Sequence, residues 1–382
     1  MPDKLVTVDN PERYGSYLVY EQIGQGGMAT VHRAEQQTPQ GLRQVALKRL
    51  FPTLQRELVA LFLDEARVLR YLQHPNIATT YDSGRNFGTY FIAMEYVAGP
   101  TLKELVAHCA STSAGAVPQA VTLNLAAQLC DALDHAHTRH DEKGKPLSIV
   151  HRDVTPANII LSKTGVLKLI DFGLARTAVT AEHTEKGVIK GKFGYIAPEY
   201  TRGKLDHRAD LWAVGIIMYE LLTSRRLFDG PDGFQTMMRV RQLPIPRPSL
   251  ANPRVSPELD QIVMTALERD PAKRWQSARE MGDRIRALIA QPGNAMDNQG
   301  VIDWVDWAFE QRRGRAPQLT PMMAMPVRTS SDPTAEFVDI DGATAVSPRA
   351  PAWYVGVPRL WLACGGALFL LLVIVVVVKL FS

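Results

Sequence analysis

The chain has 382 residues, of which 46% are hydrophobic and 21% are charged, and its formal net charge is +4. This composition excludes a disordered protein and suffices for one large or two smaller folded units. No nucleic-acid partner is expected, because no long run of Lys or Arg is present. Cys109, Cys130 and Cys364 are unevenly spaced, which is typical of reduced thiols in a cytosolic protein.

A glycine-rich turn lies near the start of the chain. Residues Tyr17 to Glu35 alternate apolar and polar side chains on both sides of Gly24, Gly26 and Gly27, which predicts two antiparallel strands. Without a Cβ in the way, backbone N–H groups of such a turn can approach a polyphosphate. The pattern alone is weak evidence, and an ordinary hairpin is the alternative.

The next predicted strand, Gln44 to Leu50, carries Lys48 among apolar residues. A helix is predicted from Glu57 to Leu72, with Glu65 on its apolar face and Asp64 a helical step off that face. We therefore expect Lys48 to pair with Glu65. The alternative is an exposed lysine on an edge strand.

The stretch HRDVTPANIILSKTGVLKLIDFG, His151 to Gly173, carries three oxygen-bearing side chains. Its two short β-branched runs flank a Lys-Thr-Gly turn, which predicts a hairpin that brings Asn158 and Asp171 together. Carboxylate and amide oxygens suit Mg²⁺, and Asp153 is then left to accept a proton.

From about Tyr17 to Ala290 the chain resembles a eukaryotic-type (Hanks-type) serine/threonine protein kinase of the bacterial branch. The resemblance implies an α+β, bilobal fold with a small β-rich N-lobe and a larger helical C-lobe. It implies that Lys48 holds the α- and β-phosphates of ATP and that Asp153 orients and deprotonates the acceptor hydroxyl, while Asn158 and Asp171 hold Mg²⁺. The motifs that carry it are Gly24, Gly26 and Val31, with Ala29 in place of a third glycine; V-A-L-K ending at Lys48; His151-Arg152-Asp153 with Asn158; Asp171-Phe172-Gly173; Ala197-Pro198-Glu199; Asp210 to Gly215; and Arg274, as the partner of Glu199.

The resemblance also implies a nucleotide pocket that takes ATP with Mg²⁺ or Mn²⁺. Met94 lies at the back of the adenine site, and the Glu95 carbonyl and the Val97 N–H pair with the base; Met94 as core filler is equally compatible with the sequence. The implied nucleotide-binding residues are Ile23, Gly24, Gln25, Gly26, Gly27, Val31, Ala46, Lys48, Met94, Glu95 and Val97.

Two positions depart from the family pattern. Where the family usually carries a lysine, two residues after the catalytic aspartate, this chain has Thr155. Where the family usually carries a threonine, six residues before the Pro of Ala-Pro-Glu, it has Lys192. We expect Lys192 to lie within direct or one-water reach of the Asp153 carboxylate as a catalytic cation, with the Thr155 hydroxyl bridging. The alternative is a solvated lysine in a weak or inactive enzyme.

The segment between Asp171 and Glu199 carries Thr177, Thr180 and Thr184. Arg152 and Arg176 could receive a phosphate on one of these threonines through charge-assisted hydrogen bonds. Thr184 is the first candidate, because its distance from Gly191 resembles that of phosphorylated threonines in bacterial members of the family. A solvated polar loop is the alternative.

The C-terminal quarter changes character. Trp304 and Trp307 belong to a short amphipathic segment expected to pack on the larger lobe, with a partner-binding helix as the alternative. Leu360 to Val378 are 19 residues without a charge, enough to span a hydrocarbon core of about 30 Å. A buried core helix is the alternative. The predicted segments are an N-terminal tail (1–14), the N-lobe (15–97), the C-lobe (98–290), a helical extension (291–315), a disordered juxtamembrane linker (316–356) and a transmembrane tail anchor (357–379).

The expected protein is a bacterial kinase that transfers the γ-phosphoryl group of ATP to Ser or Thr hydroxyls of proteins, including its own. We expect it on the inner membrane, with its kinase domain in the cytoplasm and the lipid bilayer as a partner. A dimer for autophosphorylation in trans is left open. A pseudokinase scaffold and a small-molecule kinase are the alternatives; the presence of Lys48, Asp153 and Asp171 argues against the first, and Ala197-Pro198-Glu199 against the second.

Overall fold

The computed structural model describes residues 11–52, 56–112, 115–172, 192–203 and 205–310. An antiparallel sheet of six strands, in the order β1-β2-β3-β4-β6-β5, forms the sheet lobe together with helix α1 (Arg56–Leu69). The strands are β1 (Glu12–Tyr14), β2 (Tyr17–Gln25), β3 (Ala29–Thr38), β4 (Gly41–Leu50), β5 (Thr80–Asn86) and β6 (Thr89–Glu95).

Strand β1 lies in the segment predicted as a tail, so the folded body begins earlier than the expected residue 15. Tyr14 explains this difference, because its side chain is buried and its hydroxyl donates to the carbonyls of Asn86 and Thr89. The Phe91 ring packs edge-on against Tyr14 and Tyr17. These rings close the outer face of the sheet.

Helix α1 covers the other face. Phe62, Glu65, Ala66 and Leu69 are its buried residues, at the spacing of one helical face. The helix ends three residues before the predicted Leu72, because the chain tightens there into a turn with a bond from the Leu72 N–H to the Leu69 carbonyl. Glu65 thus faces the sheet, as predicted.

A linker leads from β6 into the second lobe. The N–H of Lys163 donates to the Ala98 carbonyl, and the N–H of Leu161 donates to the Pro100 carbonyl. A Cβ on Gly99 would lie 1.9 Å from the Leu161 carbonyl oxygen, so only glycine permits this close approach. The linker is therefore fixed against the segment from Leu161 to Lys163.

The remaining described residues form the helical lobe, with a small hairpin of β7 (Ile159–Leu161) and β8 (Leu167–Leu169). The hairpin is the one predicted around the Lys-Thr-Gly turn. The helices are α2 (Leu102–Ser111), α3 (Gln119–His137), α4 (Arg208–Thr223), α5 (Gly233–Gln242), α6 (Pro248–Ala251), α7 (Pro257–Ala266), α8 (Ala278–Ile289) and α9 (Asn298–Glu310).

Side-chain caps set four of these helix starts, among them that of α5, where Asp232 accepts from the Gln235 N–H. Thr101 and Glu104 form a reciprocal capping box before α2. The side chains of Ser256 and Ser277 accept from the backbone N–H three residues later, before α7 and α8. Helix α4 follows another rule: every residue from Ala209 to Thr223 is buried, which is typical of a helix at the centre of a lobe.

Helix α9 packs on the helical lobe, as the sequence predicted. Val301, Val305 and Ala308 are its buried residues. The His108 ring on α2 stacks on Phe309 with 4.5 Å between ring centroids, and its Nε2 lies 2.7 Å from the Ala308 carbonyl.

Several predicted features lie outside the described residues. These are the activation-segment threonines, Arg176, Gly173, the linker at 316–356 and the apolar segment at 357–379. Within the described ranges, no helix combines the length and the apolar character needed to cross a bilayer.

Candidate active site

The glycine-rich turn joins β2 to β3. The Gly26 N–H donates to the Ala29 carbonyl, and Gly24 pairs with Val31 across the hairpin. A Cβ on Gly27 would meet no atom within 4 Å, and one on Gly26 would meet only the Ala29 carbonyl at 3.8 Å. Packing within the protein therefore does not require glycine there, whereas the approach of a ligand would.

The implied nucleotide residues divide into an exposed rim and a buried floor. Ile23, Gln25, Gly26 and Gly27 are exposed on the turn, and Gly24 and Val31 are half-buried. Met94 pairs in register with Ala46 across β4 and β6. Ala46, Met94 and Val97 are buried, and Glu95 is half-buried between them.

Lys48 joins the two lobes. Its Nζ lies 2.8 Å from Glu65 Oε1 on α1 and 3.1 Å from Asp171 Oδ1 in the helical lobe. The predicted choice of Glu65 over Asp64 is confirmed, since Asp64 pairs with Arg67 on the exposed side of α1. The sheet lobe and the segment that carries Asp171 therefore meet at one ammonium group.

Electrostatics keep Lys48 and Asp171 charged, whereas burial raises the pKa of Glu65 against the opposing effect of Lys48. Burial works against the ammonium, but the carboxylates of Asp171 and Glu65 outweigh it and raise the pKa of Lys48. Burial works to raise the pKa of Asp171, but Lys48 outweighs it, and Lys192 adds a smaller effect in the same direction, so this pKa lies below its usual value. Asp171 thus stays an anion at neutral pH.

Asp210, at the start of α4, holds the loop from His151 to Asn158, called the catalytic loop below, through two backbone hydrogen bonds. Its Oδ2 accepts from the His151 N–H at 2.8 Å, and its Oδ1 accepts from the Arg152 N–H at 2.9 Å. Arg152 has a φ of 64°, a left-handed conformation that costs about 1–2 kcal/mol for a residue with a side chain. His137 Nε2 lies 2.8 Å from the same carboxylate.

Sequence reasoning missed the role of Asp210 and His137. The available signal was an aspartate in the first turn of a helix that is otherwise apolar all round, since a buried carboxylate requires partners. Its partners are loop amides and a histidine from α3, and no local pattern connects them.

Asp153 lies at the centre of the site. Its Oδ2 accepts from the amide nitrogen of Asn158 at 2.9 Å and from Lys192 Nζ at 2.7 Å. The prediction that Lys192 reaches this carboxylate is confirmed as direct contact. The Ile170 N–H donates to the Asn158 carbonyl at 2.9 Å, which ties the loop to the segment that carries Asp171.

The expected bridge through Thr155 is wrong. Thr155 is 3% exposed, and its buried hydroxyl has no hydrogen-bond partner among the described residues. The ammonium of Lys192 reaches Asp153 directly, so no bridging group is needed. A buried, unpaired hydroxyl destabilises a fold by about 1–3 kcal/mol.

Two further networks hold the segment that follows Lys192. Arg274 Nη1 and Nη2 donate to the two Glu199 oxygens at 2.9 and 3.1 Å, so the predicted pair is confirmed. The Tyr195 hydroxyl donates to Glu220 Oε2 at 2.5 Å and accepts from Arg226 at 2.8 Å. No sequence pattern pointed to this second network, because its members are far apart in the chain.

Asn158 and Asp171 fit a magnesium ion. Among the described residues, no group of three or more His, Cys, Asp or Glu forms a metal site. The Asn158 amide nitrogen is committed to Asp153, which leaves its amide oxygen as the ligating atom, and Asp171 supplies a carboxylate. Magnesium is commonly held by one or two protein oxygens together with water and substrate phosphates.

Residues 17–284 match the family model described as a protein kinase domain. The chain belongs to the protein kinase family. The predicted bilobal α+β kinase fold is confirmed. The kinase domain of Mycobacterium tuberculosis PknI, known from a crystal structure, is 27% identical, covers 75% of this chain and 99% of its own, and gives a TM-score of 0.54.

Two curated relatives carry different names. The tyrosine-protein kinase MasK of Myxococcus xanthus is 34% identical over 73% of this chain and 44% of its own length. The serine/threonine-protein kinase PrkC of Bacillus subtilis is 35% identical over 72% of this chain and 41% of its own length. The chain thus matches less than half the length of each of these relatives.

Proposed function

We propose that the protein is an ATP-dependent protein kinase that phosphorylates Ser and Thr hydroxyls, including its own. The observation that carries the proposal is the contact of Lys48 with both Glu65 and Asp171, beside an Asp153 held by Asn158. These contacts assemble a cation, a metal-binding carboxylate and a base in one place.

In the proposed reaction, the acceptor oxygen forms a bond to the γ-phosphorus of ATP. The bond from that phosphorus to the bridging oxygen breaks, ADP leaves with the electron pair, and Asp153 accepts the hydroxyl proton. Lys48 binds the α- and β-phosphates, and Glu65 keeps it in position. Mg²⁺ at Asn158 and Asp171 would neutralise the phosphate charge.

A pseudokinase is the competing function. The contacts of Lys48 argue against it, because both of its carboxylate partners are present and correctly placed. The buried floor under the glycine turn supports nucleotide binding in either case, so only phosphoryl transfer separates the two functions.

The decisive experiment incubates the full chain with γ-labelled ATP, Mg²⁺ and a general protein substrate. Label on protein from the wild type, with none from a folded Asp153→Asn variant, is the expected result. Phosphoamino acid analysis of the product then tests the acceptor, since the name of one relative makes tyrosine the alternative. Absence of transfer by the wild type would favour the pseudokinase.

The proposal extends to regulation and location. We propose that one of Thr177, Thr180 and Thr184 is autophosphorylated, with Thr184 as the first candidate. We also propose that residues 357–379 anchor the chain in a bacterial inner membrane with the kinase domain in the cytoplasm. The uncharged run from Leu360 to Val378 supports the anchor. Mass spectrometry of active protein tests the phosphorylation of these threonines, and extraction of membrane fractions with carbonate and with detergent tests the anchor.

A dimer for autophosphorylation in trans is tested by mixing active chains with Asp153→Asn chains.

A further inference from the structure

We propose that Lys192 is a catalytic residue that directs its positive charge at the phosphoryl group during transfer, from a position beside the base. This inference rests on the proposed function and assigns the cation of the same site to the segment before Ala197-Pro198-Glu199. It goes beyond the roles of Lys48, Asp153 and Asp171, none of which places a partly exposed ammonium next to the acceptor.

The position of the ammonium is the first argument. Lys192 Nζ contacts Asp153 Oδ2 at 2.7 Å, and the Lys192 side chain is 38% exposed while that of Asp153 is 8% exposed. The side chain of Lys192 therefore contacts the base and is also accessible to solvent, so a substrate phosphate can approach it.

The second argument is that the Lys192 backbone is held in place. It precedes a 3₁₀ turn (Phe193–Tyr195), in which the Tyr195 N–H donates to the Lys192 carbonyl at 3.2 Å. A Cβ on Gly194 would lie 2.6 Å from the Phe228 carbonyl oxygen, so this turn sits directly on the backbone of the helical lobe. The bond from Tyr195 to the buried Glu220 fixes the next residue. Because the backbone around Lys192 is fixed in this way, the lysine needs little reorganisation during the reaction.

The third argument is that the two lysines have different carboxylate partners. Lys48 is buried and committed to two carboxylates, Glu65 and Asp171. Among the residues that the structure describes, Lys192 is the lysine in contact with Asp153. Phosphoryl transfer spreads negative charge over the equatorial oxygens, and a cation next to the base would stabilise that charge selectively in the transition state.

Thr155 provides the fourth argument. It lies two residues after Asp153, and its buried hydroxyl has no partner in the described part of the chain. Its side chain carries no charge, so among the described residues in contact with Asp153 the cation is Lys192.

The test compares full-length variants in kinetics and in ligand binding. We expect Lys192→Met to lower kcat by about 10²-fold, whereas Lys192→Arg, which keeps the charge, should retain more activity. We expect Lys192→Met to weaken binding of ADP with aluminium fluoride, a mimic of the transferring phosphoryl group, by about tenfold, with the affinity for ADP alone unchanged. Lys163→Ala, in the exposed turn between β7 and β8, is the matched control.

A double variant adds a gain-of-function arm. Thr155→Lys combined with Lys192→Thr should recover kcat to within about tenfold of the wild type, while Thr155→Lys alone should not exceed it. Thermal melting of each variant shows whether it folds. If the double variant does not fold, the Lys192→Met comparison still tests the inference.

Two results would overturn the inference: wild-type kcat in a folded Lys192→Met variant, or an unchanged affinity of that variant for ADP with aluminium fluoride. A wild type without any phosphoryl transfer contradicts the proposed function instead. In that case the aluminium fluoride comparison alone decides the role of Lys192.

Discussion

Two lysine–carboxylate contacts, one in each lobe, have similar lengths and different surroundings. The Lys48–Glu65 contact of 2.8 Å joins side chains that are 10% and 2% exposed. The Lys192–Asp153 contact of 2.7 Å joins side chains that are 38% and 8% exposed. Removing one partner of a buried ion pair leaves an uncompensated charge, whereas a half-exposed lysine leaves water in its place. We therefore expect the first contact to carry both stability and activity, and the second to carry activity.

The largest effect is expected at Asp171, the carboxylate in contact with Lys48 that we propose as a magnesium ligand. Asp171→Asn removes the carboxylate that fits Mg²⁺ and should lower kcat by about 10² or more while the fold is retained. Steady-state kinetics and circular dichroism measure the two quantities. A folded Asp171→Asn variant with near-normal turnover would contradict the assigned site.

The second prediction separates the two lysines by stability. Lys48→Met leaves Glu65 buried without its cation and should lower the free energy of unfolding by about 3–5 kcal/mol. Lys192→Met should change it by less than about 1 kcal/mol, because the lost contact is partly solvated. Urea denaturation at neutral pH provides both values. Equal losses in the two variants would show that the comparison is wrong.

The third prediction concerns the junction of the two lobes, where His74 follows α1 and His135 lies on α3. Their ring centroids are 4.9 Å apart. Burial, with help from Arg139 and His74, lowers the pKa of His135 to about 4 and outweighs the opposing effect of Asp134. Burial also lowers the pKa of His74, against the opposing effect of Asp131.

Because the unfolded chain binds a proton on His135 at higher pH than the folded chain does, stability should fall as the pH drops from about 6.5 toward 4. Denaturant midpoints across this range measure the slope, and His135→Gln should make the slope shallower. Parallel pH profiles for the wild type and His135→Gln would rule out this contribution.

The smallest expected effect tests the unpaired hydroxyl beside the Lys192 contact. Thr155→Val removes a buried polar group that has no partner among the described residues, so the free energy of unfolding should rise by up to about 1 kcal/mol. Turnover should stay within about threefold of the wild type, because neither Asp153 nor any other described group bonds to this hydroxyl. A large loss of turnover would instead give Thr155 a direct part in the reaction.

Local patterns were enough to predict the secondary structure around the site. Alternation of apolar and polar residues predicted the β2–β3 hairpin, and short β-branched runs around a turn predicted the β7–β8 hairpin. Helical spacing placed Glu65 on the buried face of α1. Element ends were less accurate. Strand β1 depends on the burial of Tyr14 against β5 and β6, a contact between segments more than 70 residues apart.

The sequence by itself determined which groups we propose to carry the chemistry, because the kinase motifs fix residue types at short spacing: Lys48, Asp153, Asn158 and Asp171. Only the tertiary structure decided how these groups are held. Asp210 accepts hydrogen bonds from two backbone N–H groups of the catalytic loop, 58 and 59 residues away in the chain. Tyr195 donates to Glu220 across 25 residues. The same is true of Thr155, whose buried hydroxyl has no partner among the described residues, whereas the contact of Lys192 with Asp153, across 39 residues, was predicted from the resemblance. Spacing along a chain reports contacts within a helix or a hairpin, whereas contacts between distant segments depend on how the whole lobe packs.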